Sequence, residues 1–228
     1  MASLGQMLGN IAHQWRQPLT ELNLSLFNLK KAFENENKKE IENLYSNSKN
    51  LILGMSSTID DFTNFFAPKK QKEAFLINQS INEALKILNR VLEDENINIK
   101  FDIVKDLEIF GLKNELTQVL LNLINNSKDA FVQKNITNKE ITIKTYTNTK
   151  DDFVYLEYID NAQGLSKELF DKIYEPYFTT KHQSSGTGLG LFICKIIIEN
   201  SFKGEIMHEN ISNGLKFTLK FPKIVWKI

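Results

Sequence analysis

Two long series of apolar residues, each stepping by three and four, constrain the first third of this chain more than any other feature. Leu4, Leu8, Ile11, Trp15, Leu19, Leu22, Leu26, Leu29 and Phe33 form the first, and Ile41, Leu44, Ser48, Leu51, Met55, Ile59, Phe62 and Phe66 form the second. That spacing predicts two helices, each with one apolar seam. The polar segment Glu34–Lys39 between them reads as a short turn, so the pair is an antiparallel helical hairpin. A single hairpin buries too little surface to be stable, and pairing two hairpins into a four-helix bundle satisfies both seams. A homodimer through residues 1–66 is therefore expected.

His13-Gln14-Trp15-Arg16-Gln17-Pro18-Leu19 lies inside the first series. At about 100° per residue the seam covers roughly 80° of the helix, and His13 points about 160° from its centre. A neutral core histidine would not sit there, so His13 is expected to face a reaction partner. Pro18 has no N–H for the Gln14 carbonyl and is expected to disturb the helix at that turn.

The pattern changes at Phe65-Phe66-Ala67-Pro68-Lys69-Lys70, where proline ends the helix. Beyond it, helix and strand signals alternate: helices over 77–92, 116–131 and 189–200, and strands over 97–104, 141–146, 153–159 and 215–221. This predicts a mixed α/β unit with a mostly antiparallel sheet and helices covering one face.

Acidic and basic residues balance at 28 each, so no global field draws nucleic acid or an anionic membrane. The single cysteine, Cys194, excludes an intrachain disulfide and suits a reducing cytoplasm. No apolar run approaches the roughly 18 residues of a membrane span, and no secretory signal opens the chain. Direct membrane contact by this chain is not expected. The sequence starts already inside the amphipathic pattern, as a piece of a longer protein would, and leaves membrane anchoring of that protein open.

Three segments of the second block carry chemistry. The helix at 116–131 is expected to bury Leu116, Val119, Leu120, Leu123, Ile124 and Ala130, with Asn122, Asn126 and Asp129 along a neighbouring face. Carboxamide oxygens there suit a Mg²⁺ ion beside a polyphosphate, although a solvated polar face reads equally well. Asp160-Asn161-Ala162-Gln163-Gly164 follows a strand directly. Its carboxylate can accept from an adenine amine and repel the carbonyl of guanine, while the same pattern alone is usually a turn. Gly186-Thr187-Gly188-Leu189-Gly190 precedes an apolar helix, where backbone N–H groups can approach a phosphate chain. It lacks the lysine ending of a P-loop and the spacing of a dinucleotide fingerprint. Between the glycine turns, Phe170–Ser185 reads as an aromatic-anchored lid, with Lys181 in reach of a terminal phosphate.

These pieces in this order resemble a sensor histidine kinase core, over essentially the whole chain. His13–Leu19 resembles the H-box, Gln118–Ser127 the N-box, Asp160–Gly164 the G1 box, Ile173–Phe178 the F-box and Gly186–Gly190 the G2 box; Gly214–Phe217 is similar to a degenerate last glycine box. The ATP-binding half also resembles the wider superfamily of gyrase, Hsp90 and MutL.

The resemblance implies an α+β multidomain chain: residues 1–67 a dimerisation and phosphotransfer hairpin, and 68–228 an α/β sandwich binding ATP and Mg²⁺. It implies phosphorylation of His13, Mg²⁺ ligation by Asn126 with Asn122 one turn earlier, and adenine reading by Asp160. Gly164, Gly186, Gly188 and Gly190 become pocket and lid glycines, and a response regulator receiver domain becomes the partner. A hinge near Ala67-Pro68 would bring the ATP domain to the stem.

Departures from the pattern are instructive. The residue after the phosphoacceptor is usually acidic, but Gln14 cannot take a proton at neutral pH. Gln17 stands where a Thr or Asn usually positions a hydrolytic water, and Ala162 replaces a first G1 glycine, which negative φ would tolerate. Gln14 keeps a second reading alive: a non-catalytic or phosphatase-biased dimeric nucleotide-binding scaffold. An ATP-hydrolysing clamp has no need for an H-box hairpin.

Overall fold

The computed structural model describes the backbone of residues 2–66, 71–103, 107–176, 178–180 and 188–224. Side chains of residues 2–17, 50, 53–54 and 57–66 lie outside the described set. Two compact units emerge, one helical and one built on a sheet.

The helical unit consists of α1 (Ala2–Glu34) and α2 (Lys38–Phe66). Between them the chain reverses on Glu36, in the left-handed region at φ 53°. The Asn37 amide donates to Ala32 O (3.0 Å) and the Glu36 amide to Phe33 O (3.1 Å), which satisfies the last carbonyls of α1. Asn37 then caps α2: its Oδ1 accepts from the Glu40 amide at 3.3 Å, and its Nδ2 donates to the Glu40 carboxylate at 2.8 Å. The expected turn and both helices are therefore present.

The helix α1 continues through Pro18, and one expectation about it is corrected. A proline removes one hydrogen bond, and the turns on either side keep theirs. The seam divides. Ala32 and Ser25 are buried, Leu22 and Leu29 are half-buried, and Leu19, Leu26 and Phe33 are exposed, Phe33 at 74%. Ser25 Oγ lies 2.8 Å from Ser48 Oγ, and both hydroxyls donate toward Leu44 O. In α2 the described seam holds: Leu51 is buried, and Ile41, Leu44, Ser48 and Met55 are half-buried.

The second unit starts with β1 (Glu73–Leu76), α3 (Ile77–Asp94), β2 (Ile97–Ile103), β3 (Glu108–Gly111) and α4 (Lys113–Gln133). It continues with β4 (Lys139–Thr147), β5 (Phe153–Asp160), a single turn α5 (Lys167–Phe170) and α6 (Gly190–Ile196), whose end widens into a π turn over Ile197–Ser201. Strands β6 (Glu205–Ile211) and β7 (Gly214–Pro222) close it. The main sheet has the order β2-β4-β5-β7-β6, antiparallel except for the β2–β4 pair; β1 and β3 form a separate two-stranded ribbon.

One face of the sheet is buried. Ile141, Ile143, Thr145, Val154, Leu156, Tyr158, Leu215, Phe217, Leu219 and Phe221 alternate inward. They join Leu116, Val119, Leu120, Leu123, Ile124 and Phe131 of α4 and Ile193, Cys194 and Ile198 in one core. Ala130, expected inside, is only partly buried; Phe131 and Ser127 take the inward positions of α4 instead.

Candidate functional site

Asp160 ends β5 on the inward register of Val154, Leu156 and Tyr158, so its carboxylate turns under the sheet, only 5% exposed. Burying a carboxylate needs donors. Its Oδ1 accepts the amides of Ala162 (3.0 Å) and Leu215 (3.2 Å), and its Oδ2 accepts the Ser127 hydroxyl at 2.6 Å. Tyr158 in turn donates to Ser127 at 2.9 Å. Burial pushes the Tyr158 phenol well above its ordinary range, so its proton stays on oxygen. Sequence reasoning found Asp160 but not this support. The strict alternation 154-156-158-160 was the available sign that Asp160 faces inward.

The turn after Asp160 is held from three sides. Asn161 Oδ1 accepts the Glu140 amide at 2.9 Å, and its Nδ2 donates to Asn138 O at 2.7 Å. From the end of α4, Lys134 Nζ donates to Ala162 O (2.6 Å) and Gly164 O (2.5 Å). Asn210 of β6 exchanges two 2.8 Å bonds with the backbone of Leu165. Gly164 is required twice over: its φ is +63°, and a Cβ there would stand 2.4 Å from Asn210 Oδ1. Ala162 is absent from the positive-φ residues, while Gln163 adopts φ 60°, so alanine meets no backbone penalty at its position.

Asn122 and Asn126 stand half-buried on α4, one turn apart. Asn122 Nδ2 donates to Gly190 O at 3.3 Å, which ties the N-box helix to the G2 turn. Gly188 is left-handed at φ +65°, whereas Gly190 has ordinary contacts: a Cβ there would meet Asn122 Cγ at 3.8 Å. Among the described residues, no group of three or more His, Cys, Asp or Glu could hold a metal. The asparagine oxygens are hard, neutral donors of the kind Mg²⁺ accepts, and too few to bind it without phosphate oxygens. They fit a metal that arrives with a nucleotide.

Phe170 and Tyr174 are anchored, as expected of aromatics in this segment. His208 Nε2 lies 3.0 Å from Phe170 O, and its ring packs on Phe170 (4.2 Å), Tyr174 (5.2 Å) and Phe217 (6.2 Å). Lys195 Nζ sits 5.4 Å over the Tyr174 ring. Burial lowers the His208 pKa, and the Phe170 carbonyl opposes that shift. His208 was not legible in the sequence, because its partners come from separate segments. The side chains of His13, Gln14 and Gln17, together with Lys181 and Gly186, lie outside the described residues.

A family model described as histidine kinase-, DNA gyrase B-, and HSP90-like ATPase matches residues 111–224, the stretch holding α4, the Asp160 turn and the glycine turn. The chain belongs to this family, on its sensor histidine kinase branch. The two-component sensor PprA of Pseudomonas aeruginosa is 27% identical over 231 residues, covering 97% of this chain and 24% of that protein. Sporulation kinase E of Bacillus subtilis is 28% identical over 226 residues, 96% of this chain and 28% of its own length. The chain thus spans about a quarter of those curated relatives.

Among solved structures, the catalytic domain of histidine kinase ThkA is 32% identical, with a TM-score of 0.58 over 68% of this chain and 97% of that one. Histidine kinase ThkA in complex with response regulator protein TrrA matches 100% of this chain and 64% of its own, at 26% identity and a TM-score of 0.72. No helix among the described residues is long and apolar enough to cross a membrane.

Proposed function

We propose that the chain is the catalytic core of a two-component kinase that phosphorylates His13 from Mg-ATP and passes the phosphoryl group to an aspartate of a response regulator. The observation that carries this reading is the buried Asp160, bonded to Ser127 of α4, the helix that also carries Asn122 and Asn126, in one chain with the H-box histidine. Histidine kinase ThkA, matched over the whole of this chain, was solved with a response regulator protein, which supports the partner. Residues 1–67 would form the phosphotransfer hairpin and 68–228 the ATP-binding domain. The exposed Leu19, Leu26 and Phe33, seven residues apart on α1, with Tyr45 and Ile52 on α2, favour a homodimeric four-helix bundle that covers them.

In this reading Asp160 accepts the adenine amine, and Gly164, Gly186, Gly188 and Gly190 let the backbone approach the nucleotide. Asn126 would offer its oxygen to Mg²⁺, with Asn122 one turn earlier near metal and phosphates, and the ion would supply charge neutralisation there. Lys181 adds a point charge near the terminal phosphate. Neutral imidazole attacks the γ-phosphorus. An N–P bond forms, the bond to the β–γ bridging oxygen breaks, and ADP leaves. The imidazole proton goes to solvent, since Gln14 can orient it but not accept it. Gln17 sits one turn on, near the phosphorylated position.

Incubation of the purified chain with γ-labelled ATP and Mg²⁺ tests the reaction class. Label that survives base and is lost in acid supports phosphohistidine. Bound nucleotide without label favours the non-catalytic scaffold, which Gln14 keeps in play. Release of inorganic phosphate without protein label favours a clamp ATPase.

A further inference from the structure

Ser127 and Tyr158 do something that core packing does not ask of them. They are 2% and 0% exposed. Alanine and phenylalanine would fill the same space without a buried hydroxyl, which costs free energy unless it is bonded. Both hydroxyls are bonded, and the direction of each bond is forced. A carboxylate only accepts, so Ser127 donates to Asp160 Oδ2 at 2.6 Å. Its one proton is then spent, so Tyr158 donates to Ser127 at 2.9 Å. With the Ala162 and Leu215 amides on Oδ1, three of the carboxylate's roughly four acceptor sites are filled. Among the described residues, the site left open belongs to Oδ2.

We propose that Tyr158 and Ser127 are positioning residues for base selection: their relay fixes the Asp160 carboxylate so that a single Oδ2 acceptor site is presented to an exocyclic amine. This rests on Asp160 reading adenine. Carboxylate torsions are otherwise broad, and a carboxylate that rotates offers its lone pairs in many directions. A short charge-assisted bond from Ser127 restricts that rotation, and Tyr158 keeps the Ser127 proton pointed at Oδ2. Only a purine carrying an amine at the facing position completes the set. A carbonyl there meets a lone pair it cannot satisfy.

The test is the affinity of the full chain for Mg-ATP and Mg-GTP, measured for wild type, Ser127→Ala, Ser127→Thr, Tyr158→Phe and Asp160→Asn. Ser127→Ala is expected to weaken ATP binding about tenfold while GTP changes little, so the ATP/GTP ratio contracts. Ser127→Thr restores the ratio, and Tyr158→Phe, which removes one oxygen and keeps the ring, gives a contraction of about threefold. A purely structural role would lower thermal stability and leave the ratio alone. If Asp160→Asn loses ATP while Ser127→Ala and Tyr158→Phe keep the wild-type ratio, the relay is refuted and the reading of Asp160 stands. If Asp160→Asn binds ATP normally, that reading fails and the relay falls with it. Should Ser127→Ala not fold, Tyr158→Phe decides alone.

Discussion

Replacing Gly214 by alanine should disrupt the Asp160 site without altering any group that could touch nucleotide. Gly214 opens β7 against the end of β5, and its φ is not the constraint; space is. A Cβ there would lie 1.7 Å from the Asp160 carbonyl oxygen, 2.7 Å from its carbon and 3.0 Å from Asn161 Cα. All three are backbone atoms, so no side-chain rotation relieves the clash. Restoring normal contact needs a displacement of about 1.5 Å, and the Leu215 amide that donates to Asp160 at 3.2 Å moves with it. Overpacking costs about 1–3 kcal/mol, and a lost bond to a buried carboxylate a similar amount; shared relaxation brings the sum to about 3 kcal/mol. Native-state hydrogen exchange along β5 and β7 should therefore accelerate roughly a hundredfold, with ATP affinity falling in parallel. Gly190→Ala, whose Cβ meets only ordinary contacts, should leave those rates unchanged. Wild-type exchange and wild-type ATP affinity in Gly214→Ala would refute the steric account of this corner.

Lys134→Met removes both bonds to the Asp160 turn from a half-buried ammonium. A loss of about 1–2 kcal/mol in the order of that turn, read as faster exchange at Gln163–Leu165 and weaker ATP binding, is expected. Unchanged exchange there would remove Lys134 from the account. Asn126→Ala should weaken Mg-ATP binding by at least about tenfold and metal-free ATP binding much less. Equal losses with and without Mg²⁺ would count against a metal role. The folded state lowers the His208 pKa through burial, so the unfolded chain binds its proton more readily. Stability should fall as pH drops below about 6.5, and His208→Gln should flatten that slope in urea melts at several pH values. A slope equal to wild type would show that other groups set it.

Long periodic segments were legible because one buried face imposes a repeat. That holds for α1 and α2, for α3 and α4, and for β4, β5 and β7. The strands β1 and β3 are four residues each, too short for an alternation to stand out, and among the described residues they pair only with each other. At the sheet edge, β6 buries Ile206 alone among Glu205-Ile206-Met207-His208-Glu209-Asn210-Ile211. It therefore carries no pattern, although it supplies both His208 and Asn210 to the site. The split seam of α1 has a similar cause: periodicity shows which residues are apolar, not which neighbour covers them. Leu22 and Leu29 turn toward α2, whereas Leu19, Leu26 and Phe33 do not. Asp160 was legible as a carboxylate at a strand end. Its donors were not, because Ser127, Ala162 and Leu215 reach it from α4, from the turn after β5 and from β7.

The central claim is that His13 receives the γ-phosphoryl group of ATP. Side-by-side incubation of wild type and His13→Ala with γ-labelled ATP and Mg²⁺, with nucleotide affinity measured on the same samples, tests it most directly. Acid-labile, base-stable label in wild type and none in His13→Ala, at equal ATP affinity, is the expected result. Undiminished acid-labile label in His13→Ala would place the phosphoacceptor elsewhere and contradict the account.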